Sequence, residues 1–237
     1  MPSDMMGVTK QRPRVHPGAA EHYRNHDAYD RRYEGRTEDI AFYARWAGQC
    51  GSVLEYGAGT GRLTLPLAER GCTVTAVDLS ESMLSGLRAR LSSAKPDVRK
   101  RVTTKLADMR TFRTACRYDG VIVGFHTFCH LYHRDDVLQF LERAFAHLIP
   151  GGRLAFDVPV PRVDAAGYDA LSQVCVVEMD GAQGPELLTQ RWYQPQELRM
   201  HLMFAGFEKV RFLADFTFNQ PDEDTDFLVV EARRPAC

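Results

Sequence analysis

Short apolar runs alternate with helix-length amphipathic segments through most of the chain. The run 73–77 is rich in β-branched residues, which favours a strand. Leucines at helical spacing follow it, and the same alternation is repeated up to residue 158. The predicted strands are 53–54, 73–77, 101–106, 118–124 and 153–158, and the predicted helices between them are 63–69, 83–91 and 137–148.

The alternation of strands and helices stops after residue 158. Two β-rich runs joined by a glycine-containing loop follow, and this pattern predicts a hairpin. Strands that alternate with helices and end in a closing pair predict a largely parallel sheet with helices on both faces. The hairpin strands are expected at 174–178 and 186–192, followed by a helix at 196–205, an extended segment at 207–218 and a final strand at 226–232.

The first 47 residues have a different pattern. Residues 1–18 carry three prolines and two glycines without periodicity, which predicts a mobile tail. Residues 19–47 contain two helical segments, and the second places Phe42, Tyr43 and Trp46 near one side. We expect these helices either to cap the sheet edge or to form a lid over a bound ligand.

Composition restricts the range of functions. The 237 residues suit one α/β domain with a small cap, and 44% apolar with 26% charged residues are ordinary for a globular protein. A net charge of −1 gives no general attraction to nucleic acid or to an anionic membrane. No stretch approaches the ~20 apolar residues of a membrane span, and no apolar signal core is seen, so we expect a cytoplasmic location. Six cysteines without a C-x-x-C pair indicate reduced thiols.

Three glycines at alternate positions, Gly57, Gly59 and Gly61, join the first predicted strand to the first predicted helix. Glycine permits positive φ and lets a ligand approach the bare backbone, and the next helix presents its N-terminal N–H groups to that ligand. The G-x-G-x-x-G spacing of dinucleotide-binding proteins would need a glycine at Arg62 or at Thr64. The turn therefore favours a nucleotide-type site of another kind, and an ordinary glycine-rich turn without a ligand is the alternative.

Acidic residues follow the second and third predicted strands. Asp78 ends the second strand, where a carboxylate can accept hydrogen bonds from both ribose hydroxyls of an adenosine. Asp78 or Ser80 can instead cap the helix that follows. Asp108 follows the third strand and can accept a hydrogen bond from the adenine amino group, with Met109 against the ring edge. Together with the glycine turn, these residues predict an adenosine site.

The segment from Glu55 to Gly61, E-x-G-x-G-x-G, resembles the first motif of class I S-adenosylmethionine-dependent methyltransferases. The resemblance implies an α/β fold with a doubly wound, Rossmann-like and mostly parallel seven-stranded sheet, in which the last strand is antiparallel. It also implies S-adenosyl-L-methionine as cofactor and S-adenosyl-L-homocysteine as product. The further landmarks that agree with this family are Asp78, Asp108-Met109 and the turn from Leu148 to Gly152.

The resemblance divides the chain into parts. It covers 52–158 closely and extends to 233 through the last helix and strands. It implies a helical cap or lid at 19–47 and a methyltransferase domain at 48–237. Within that domain the insertion 159–192 would shape the acceptor site.

Two segments, Tyr29 to Arg36 and Phe125 to Leu131, are similar to small-molecule N-methyltransferases of the sugar-amine and glycine type. Arg36 falls where that group carries a basic residue for the methionine carboxylate, and a bidentate arginine suits a carboxylate. His130 falls where the sugar enzymes carry a histidine that faces the acceptor amine. His126 departs from them, because a small polar residue is usual there. The resemblance therefore implies methyl transfer in small-molecule biosynthesis, to nitrogen rather than oxygen.

The same resemblance implies a set of site residues. An imidazole, with an unperturbed pKa of about 6.5, can take or relay the proton of an amine. Tyr29, Tyr33 and Tyr132 are candidates to supply a hydroxyl that orients the acceptor. The expected catalytic residues are His130, His126 and Tyr29, and the expected cofactor-binding residues are Tyr23, Tyr29, Arg36, Glu55, Gly57, Ala58, Gly59, Gly61, Asp78, Leu79, Met83, Asp108, Met109, Arg110 and Phe125.

The histidines around Cys129 allow other interpretations. His126, His130 and His133 with Cys129 have side chains that suit zinc. No carboxylate or second cysteine at ligand spacing completes the set, and methyl transfer from a sulfonium needs no metal, so we expect none. The histidines can also serve only to pack against the lid.

Two other classes of function are alternatives. An enzyme of the same fold can use S-adenosylmethionine for a non-methylating reaction, such as cyclisation of its side chain with release of methylthioadenosine. A non-catalytic binding subunit is the other, and degenerate glycines or loss of Asp78 would favour it; neither is seen. We expect a small-molecule acceptor, no nucleic-acid or membrane partner, and a monomer or homodimer.

Overall fold

The computed structural model describes residues 22–162, 164–181 and 184–236. The predicted mobile tail, residues 1–18, lies outside the described residues. The strands are β1 (Ser52–Tyr56), β2 (Thr73–Asp78), β3 (Val102–Leu106), β4 (Tyr118–Val123), β5 (Leu148–Pro159), β6 (Tyr168–Asp169), β7 (Val174–Gly181), β8 (Gly184–Arg191), β9 (Glu208–Ala214) and β10 (Phe227–Arg233). The α-helices are α1 (His26–Tyr33), α2 (Glu38–Trp46), α3 (Thr64–Glu69), α4 (Glu81–Ser93), α5 (Pro96–Lys100), α6 (Arg134–His147) and α7 (Pro195–Phe204).

Seven strands form one sheet in the order β3-β2-β1-β4-β5-β10-β9. The pairings from β3 through β5 are parallel, and β10 pairs antiparallel with both β5 and β9. The doubly wound, mostly parallel seven-stranded sheet is thereby confirmed, including the antiparallel last strand between its neighbours. The short helix α5 was not predicted, and α6 begins three residues before its predicted start.

Apolar side chains project from both faces of the central strands, as expected for strands covered by helices on each side. Leu54 of β1 and Val121 of β4 pack into one core with Phe140 of α6. Their neighbours Val53 and Ile122 point the other way, into a core that contains residues of α2 and α3. The period-two alternation of a strand therefore explains how one short apolar run contributes to two cores.

Strands β7 and β8 form the predicted hairpin, and β6 extends it to a second, three-stranded sheet. The hairpin strands pair antiparallel from Val174 opposite Arg191 to Gly181 opposite Gly184. None of the helices in the described ranges is long and apolar enough to cross a membrane.

The strand order reverses between β1 and β4, which are neighbours in the sheet but far apart in the chain. Ligands of open α/β sheets bind at such a switch point, beyond the carboxyl ends of the strands. The glycine turn after β1 and the histidine-containing segment after β4 both lie at this edge. The fold therefore brings together the two segments that sequence analysis singled out.

Candidate active site

The glycine turn follows β1 and has positive φ at all three glycines, +67° at Gly57, +56° at Gly59 and +90° at Gly61. A Cβ atom on Gly57 would lie 2.3 Å from Cγ2 of Thr127, and one on Gly61 would lie 2.4 Å from Cδ1 of Leu87. A Cβ atom on Gly59 would meet no atom within 4 Å. Close packing therefore requires the outer two glycines, while the middle one presents open backbone.

Asp78 at the end of β2 holds this turn in place. Its Oδ2 accepts a hydrogen bond from the Gly59 N–H at 2.8 Å, and its Oδ1 accepts one from the Ser80 N–H at 2.8 Å. Burial raises the pKa of the Asp78 carboxyl above its usual value, although the backbone N–H groups around it act in the opposite direction. The cap of α4 is Ser80, whose Oγ accepts from the Met83 N–H at 3.3 Å. Asp78 is therefore not the helix cap.

A cavity of about 400 Å³ lies between the glycine turn, α4 and the segment before β1. Its lining includes most of the residues expected to bind the cofactor, together with His130. The expected residues that line it are Tyr23, Tyr29, Gly57, Gly59, Asp78, Leu79, Met83, Asp108, Met109, Arg110, Phe125 and His130, and the others are Arg24, Val77, Ser80, Ser82, Ala107, Thr127 and Leu131.

Arg110 clamps Asp108 on the cavity wall. Its Nη2 lies 2.7 Å from Oδ2 of Asp108, and its Nη1 lies 3.0 Å from Oδ1 of Asp136 at the start of α6. These hydrogen bonds, and above all those to Asp108, raise the pKa of Arg110. Sequence analysis identified Asp108 and Arg110 but not Asp136, whose contribution depends on how close the start of α6 lies to the segment that follows β3.

The segment before β1 is anchored to the glycine turn and to α4. Thr60 Oγ1 donates to Asp30 Oδ1 at 2.5 Å, and Ser80 Oγ donates to the Tyr23 carbonyl at 3.2 Å. The ring of Tyr29 is buried and makes an edge contact with the ring of Phe125 at 6.2 Å between centroids. Two aromatic side chains from distant parts of the chain thus form one wall of the cavity.

His130, which also lines the cavity, belongs to a chain of hydrogen bonds. Its Nε2 lies 2.8 Å from the hydroxyl of Tyr23, and its Nδ1 lies 3.3 Å from the hydroxyl of Tyr132. Tyr132 in turn contacts Thr189 of β8 through both the carbonyl, at 2.6 Å, and the Oγ1, at 3.0 Å. The inserted hairpin therefore reaches the site through Thr189. Sequence analysis missed Thr189, because nothing in a strand sequence shows where a hairpin docks.

Arg36 is not among the residues that line the cavity, and its pairing with a cofactor carboxylate stays a prediction. Its guanidinium lies 5.1 Å from the ring centroid of Phe125 and 5.0 Å from that of Phe227, and its carbonyl accepts from Arg62 Nη1 at 2.8 Å. These distances are those of cation–π contacts, which hold the guanidinium against the two rings. The arginines that do line the cavity are Arg24 and Arg110.

His126 is not among the residues that line the cavity either, and its catalytic role stays a prediction. Its backbone has φ of +58°, and its ring stacks on Phe227 with centroids 5.1 Å apart. Asp157 of β5 accepts hydrogen bonds from the N–H groups of both Phe125 and His126, at 2.9 and 2.8 Å, and from the Tyr43 hydroxyl at 2.6 Å. Burial alone would raise the pKa of Asp157, but the side chains of His126 and Tyr43 and the His126 N–H together hold it below its usual value. Sequence analysis missed Asp157, although a lone carboxylate in an apolar strand is a detectable signal.

Glu55, at the end of β1, and Ala58 and Gly61, within the turn, are not among the residues that line the cavity. Glu55 is buried and accepts a hydrogen bond from Thr64 Oγ1 at 2.5 Å. Burial raises the pKa of Glu55 to about 8. The side chain of Ala58 packs in a small core with residues of α4. These three residues shape or support the turn, and their contact with a cofactor stays a prediction.

The segment 126–133, which contains three histidines and Cys129, forms no cluster of metal ligands among the described residues. Cys129 is fully buried, whereas His133 is exposed. Among the residues that the structure describes, no three metal-ligating side chains converge.

Comparison with known proteins adds to this geometry. Residues 53–152 match the family described as a methyltransferase domain. The solved structure of the CcbJ methyltransferase from Streptomyces caelestis is 26% identical and superposes with a TM-score of 0.76, covering 85% of this chain and 97% of that chain. The glycopeptide N-methyltransferase MtfA is 26% identical with a TM-score of 0.68, covering 84% of this chain and 90% of that chain.

MtfA has also been solved in complex with S-adenosyl-L-methionine and with S-adenosyl-L-homocysteine. Among curated proteins, the chain is 29% identical to the dTDP-3-amino-3,6-dideoxy-alpha-D-glucopyranose N,N-dimethyltransferase of Streptomyces fradiae. That match covers 53% of this chain and 49% of the Streptomyces protein.

Proposed function

Because the chain is a class I S-adenosylmethionine-dependent methyltransferase, we propose that it methylates a nitrogen atom of a small-molecule acceptor. His130 is the residue that takes the proton which an acceptor amine must lose to expose its lone pair. The observation that carries this proposal is the contact of 2.8 Å between His130 Nε2 and the Tyr23 hydroxyl on the cavity wall.

Nitrogen as the methylated atom is supported by the similar proteins. MtfA is named as a glycopeptide N-methyltransferase, and the Streptomyces fradiae relative as an amino-sugar N,N-dimethyltransferase. The likeness to MtfA extends over most of both chains. An imidazole on the cavity wall suits an amine acceptor, because an ordinary imidazole, with a pKa of about 6.5, can accept a proton near neutral pH.

The cavity residues fit the cofactor. A volume of about 400 Å³ lies within the usual range of small-molecule sites. Each Asp78 oxygen accepts one backbone N–H and keeps a lone pair with which it would hold a ribose hydroxyl. Asp108 would accept from the adenine amino group, and the open backbone at Gly59 leaves room for close approach. When bound, S-adenosylmethionine supplies a methyl group on a sulfonium, which an unprotonated nitrogen can attack.

The residues before β1 and the inserted hairpin are proposed to close the acceptor side. Arg32 of α1 forms an ion pair with Glu186 of β8 at 3.0 Å, and the Tyr33 hydroxyl contacts Met179 Sδ at 4.0 Å. These contacts support a lid formed by residues 22–36, which together with residues 159–192 excludes water and orients the acceptor. Exclusion of water and alignment of the reactants are the main contributions a protein makes to such a transfer.

A product screen tests the proposal. The purified chain is incubated with S-adenosylmethionine and with a panel of amines that includes amino sugars, beside a matched panel of alcohols and phenols. We expect methylated amines, with one S-adenosylhomocysteine released per methyl group. Methylation confined to hydroxyl compounds would refute nitrogen as the acceptor atom. Release of methylthioadenosine without any methylated product would instead establish the non-methylating alternative.

A further inference from the structure

The hydroxyl of Tyr132 donates its one hydrogen to the Thr189 carbonyl. The two oxygens lie 2.6 Å apart, and a hydrogen must lie between oxygens at that distance. The carbonyl has no hydrogen to offer, so the tyrosine donates. Because a hydroxyl has one hydrogen, the Thr189 Oγ1 at 3.0 Å must donate to Tyr132 rather than accept from it.

The direction of the Tyr132–Thr189 hydrogen bond determines which nitrogen of His130 carries the hydrogen in the neutral ring. Nδ1 lies 3.3 Å from the Tyr132 oxygen, which has no hydrogen left to give and can only accept. Nδ1 is therefore protonated, and Nε2 carries the lone pair. The Tyr23 hydroxyl then donates to Nε2 at 2.8 Å. Burial raises the pKa of Tyr23 well above its usual value, so this hydroxyl keeps its hydrogen.

We propose that Tyr132 and Thr189 are positioning residues that hold His130 in the tautomer with hydrogen on Nδ1, which makes Nε2 the basic atom of the site. The role of the base itself rests on the function proposed above. The partner of one imidazole nitrogen generally sets the protonation of the other. Here that partner is Tyr132, and the hairpin orients it through Thr189, which is buried in β8 and paired with Val176 of β7.

The proton then has a defined route. The acceptor nitrogen gives its proton to the Tyr23 oxygen while the Tyr23 hydrogen moves to His130 Nε2. Tyr23 ends neutral, His130 ends as an imidazolium with both nitrogens protonated, and Nδ1 keeps its hydrogen bond to Tyr132. Without the Tyr132 partner, hydrogen can reside on Nε2 instead, and the nitrogen that faces Tyr23 loses its basic lone pair.

The tautomer can be measured without any reaction. The full chain is labelled with ¹⁵N-histidine and its imidazole nitrogens are observed by NMR at a pH above the titration range of imidazole. His130→Asn identifies the His130 signals by their loss. We expect a protonated Nδ1 and an unprotonated Nε2 in the unmodified protein, and a shift of hydrogen towards Nε2 in Tyr132→Phe. Tyr118→Phe is the matched control, since its hydroxyl contacts Thr75 far along the sheet.

Hydrogen on Nε2 in the unmodified protein would overturn the inference, and so would an unchanged tautomer in a folded Tyr132→Phe. Once an acceptor is known, Tyr132→Phe should lower kcat by about 10-fold at neutral pH, less than the ~10²–10⁴-fold that loss of a general base costs. KM for the acceptor should stay the same, because Tyr132 acts only through His130. The NMR result stands whether or not an amine is methylated, so failure of the proposed function would be seen separately.

Discussion

The carboxylate of Asp78 and the backbone N–H of Gly59 are joined by a hydrogen bond of 2.8 Å between the tip of β2 and the turn after β1. The bond fixes the turn in the shape that leaves the Gly59 backbone open. It also orients the carboxylate, which lines the cavity. One side chain therefore both shapes the turn and forms part of the cavity wall.

Asp78→Ala should lower the affinity for S-adenosylmethionine by about 10²–10⁴-fold, because two hydrogen bonds to a charged acceptor contribute ~1.5–3 kcal/mol each. Titration calorimetry measures the change. Asp97→Ala, which removes an exposed carboxylate on α5, is the control and should bind normally. Near-normal affinity in Asp78→Ala would show that this carboxylate does not hold the cofactor.

Glu55 should make the protein less stable as the pH rises. Its pKa is raised by burial from a usual value of 4.5 to about 8. Between these values the folded state binds a proton that the unfolded state has lost, so the free energy of unfolding falls as pH increases through that window. Below 4.5 and above 8 this group adds no slope.

Glu55→Gln should remove this dependence, because the amide does not ionise and keeps an oxygen for the Thr64 hydroxyl. Compared with the unmodified chain, the variant should lose a few kcal/mol less stability between pH 5 and 8, at about 1.4 kcal/mol per pKa unit. Urea unfolding at several pH values measures it, with the exposed Glu69→Gln as control. Parallel pH profiles for Glu55→Gln and the unmodified chain would contradict a raised pKa.

Arg36→Ala should leave the affinity for S-adenosylmethionine near that of the unmodified protein. Its guanidinium lies against the rings of Phe125 and Phe227 and not in the cavity. The change should instead lower the free energy of unfolding by about 0.5–1 kcal/mol through the lost cation–π contacts. Calorimetry with S-adenosylmethionine and with adenosine measures the affinities, and Arg31→Ala, which removes an exposed arginine of α1, is the control. A loss confined to S-adenosylmethionine would restore Arg36 as the partner of its carboxylate.

The sheet and its turn could be predicted because local pattern determines them. Alternating apolar runs mark the strands, and Gly57, Gly59 and Asp78 occupy positions set by the ends of β1 and β2. Residues at strand ends meet at one sheet edge whatever the rest of the chain does. Asp78, Asp108, Gly57 and Gly59 therefore line one cavity.

Arg36 and His126 do not line this cavity, for a physical reason. Both pack against Phe227, a residue about 100 or more positions later in the chain. Their orientation is set by where β10 lies beside β5, which no local pattern reveals. The Tyr132–Thr189 contact depends in the same way on the docking of the hairpin.

His130→Ala should lower kcat by ~10²–10⁴-fold at neutral pH if His130 takes the proton of an acceptor amine. Most of this loss should be recovered at high pH, where the amine arrives without its proton. The affinity for S-adenosylmethionine should change little, because Asp78 and Asp108 carry the contacts expected to bind it. His133→Ala, which removes an exposed histidine three residues later, is the control. The measurement is a pH–rate profile of both variants beside the unmodified chain. A loss of rate that does not depend on pH would mean that His130 only positions the acceptor, and an unchanged rate would leave it a packing residue beside Tyr23.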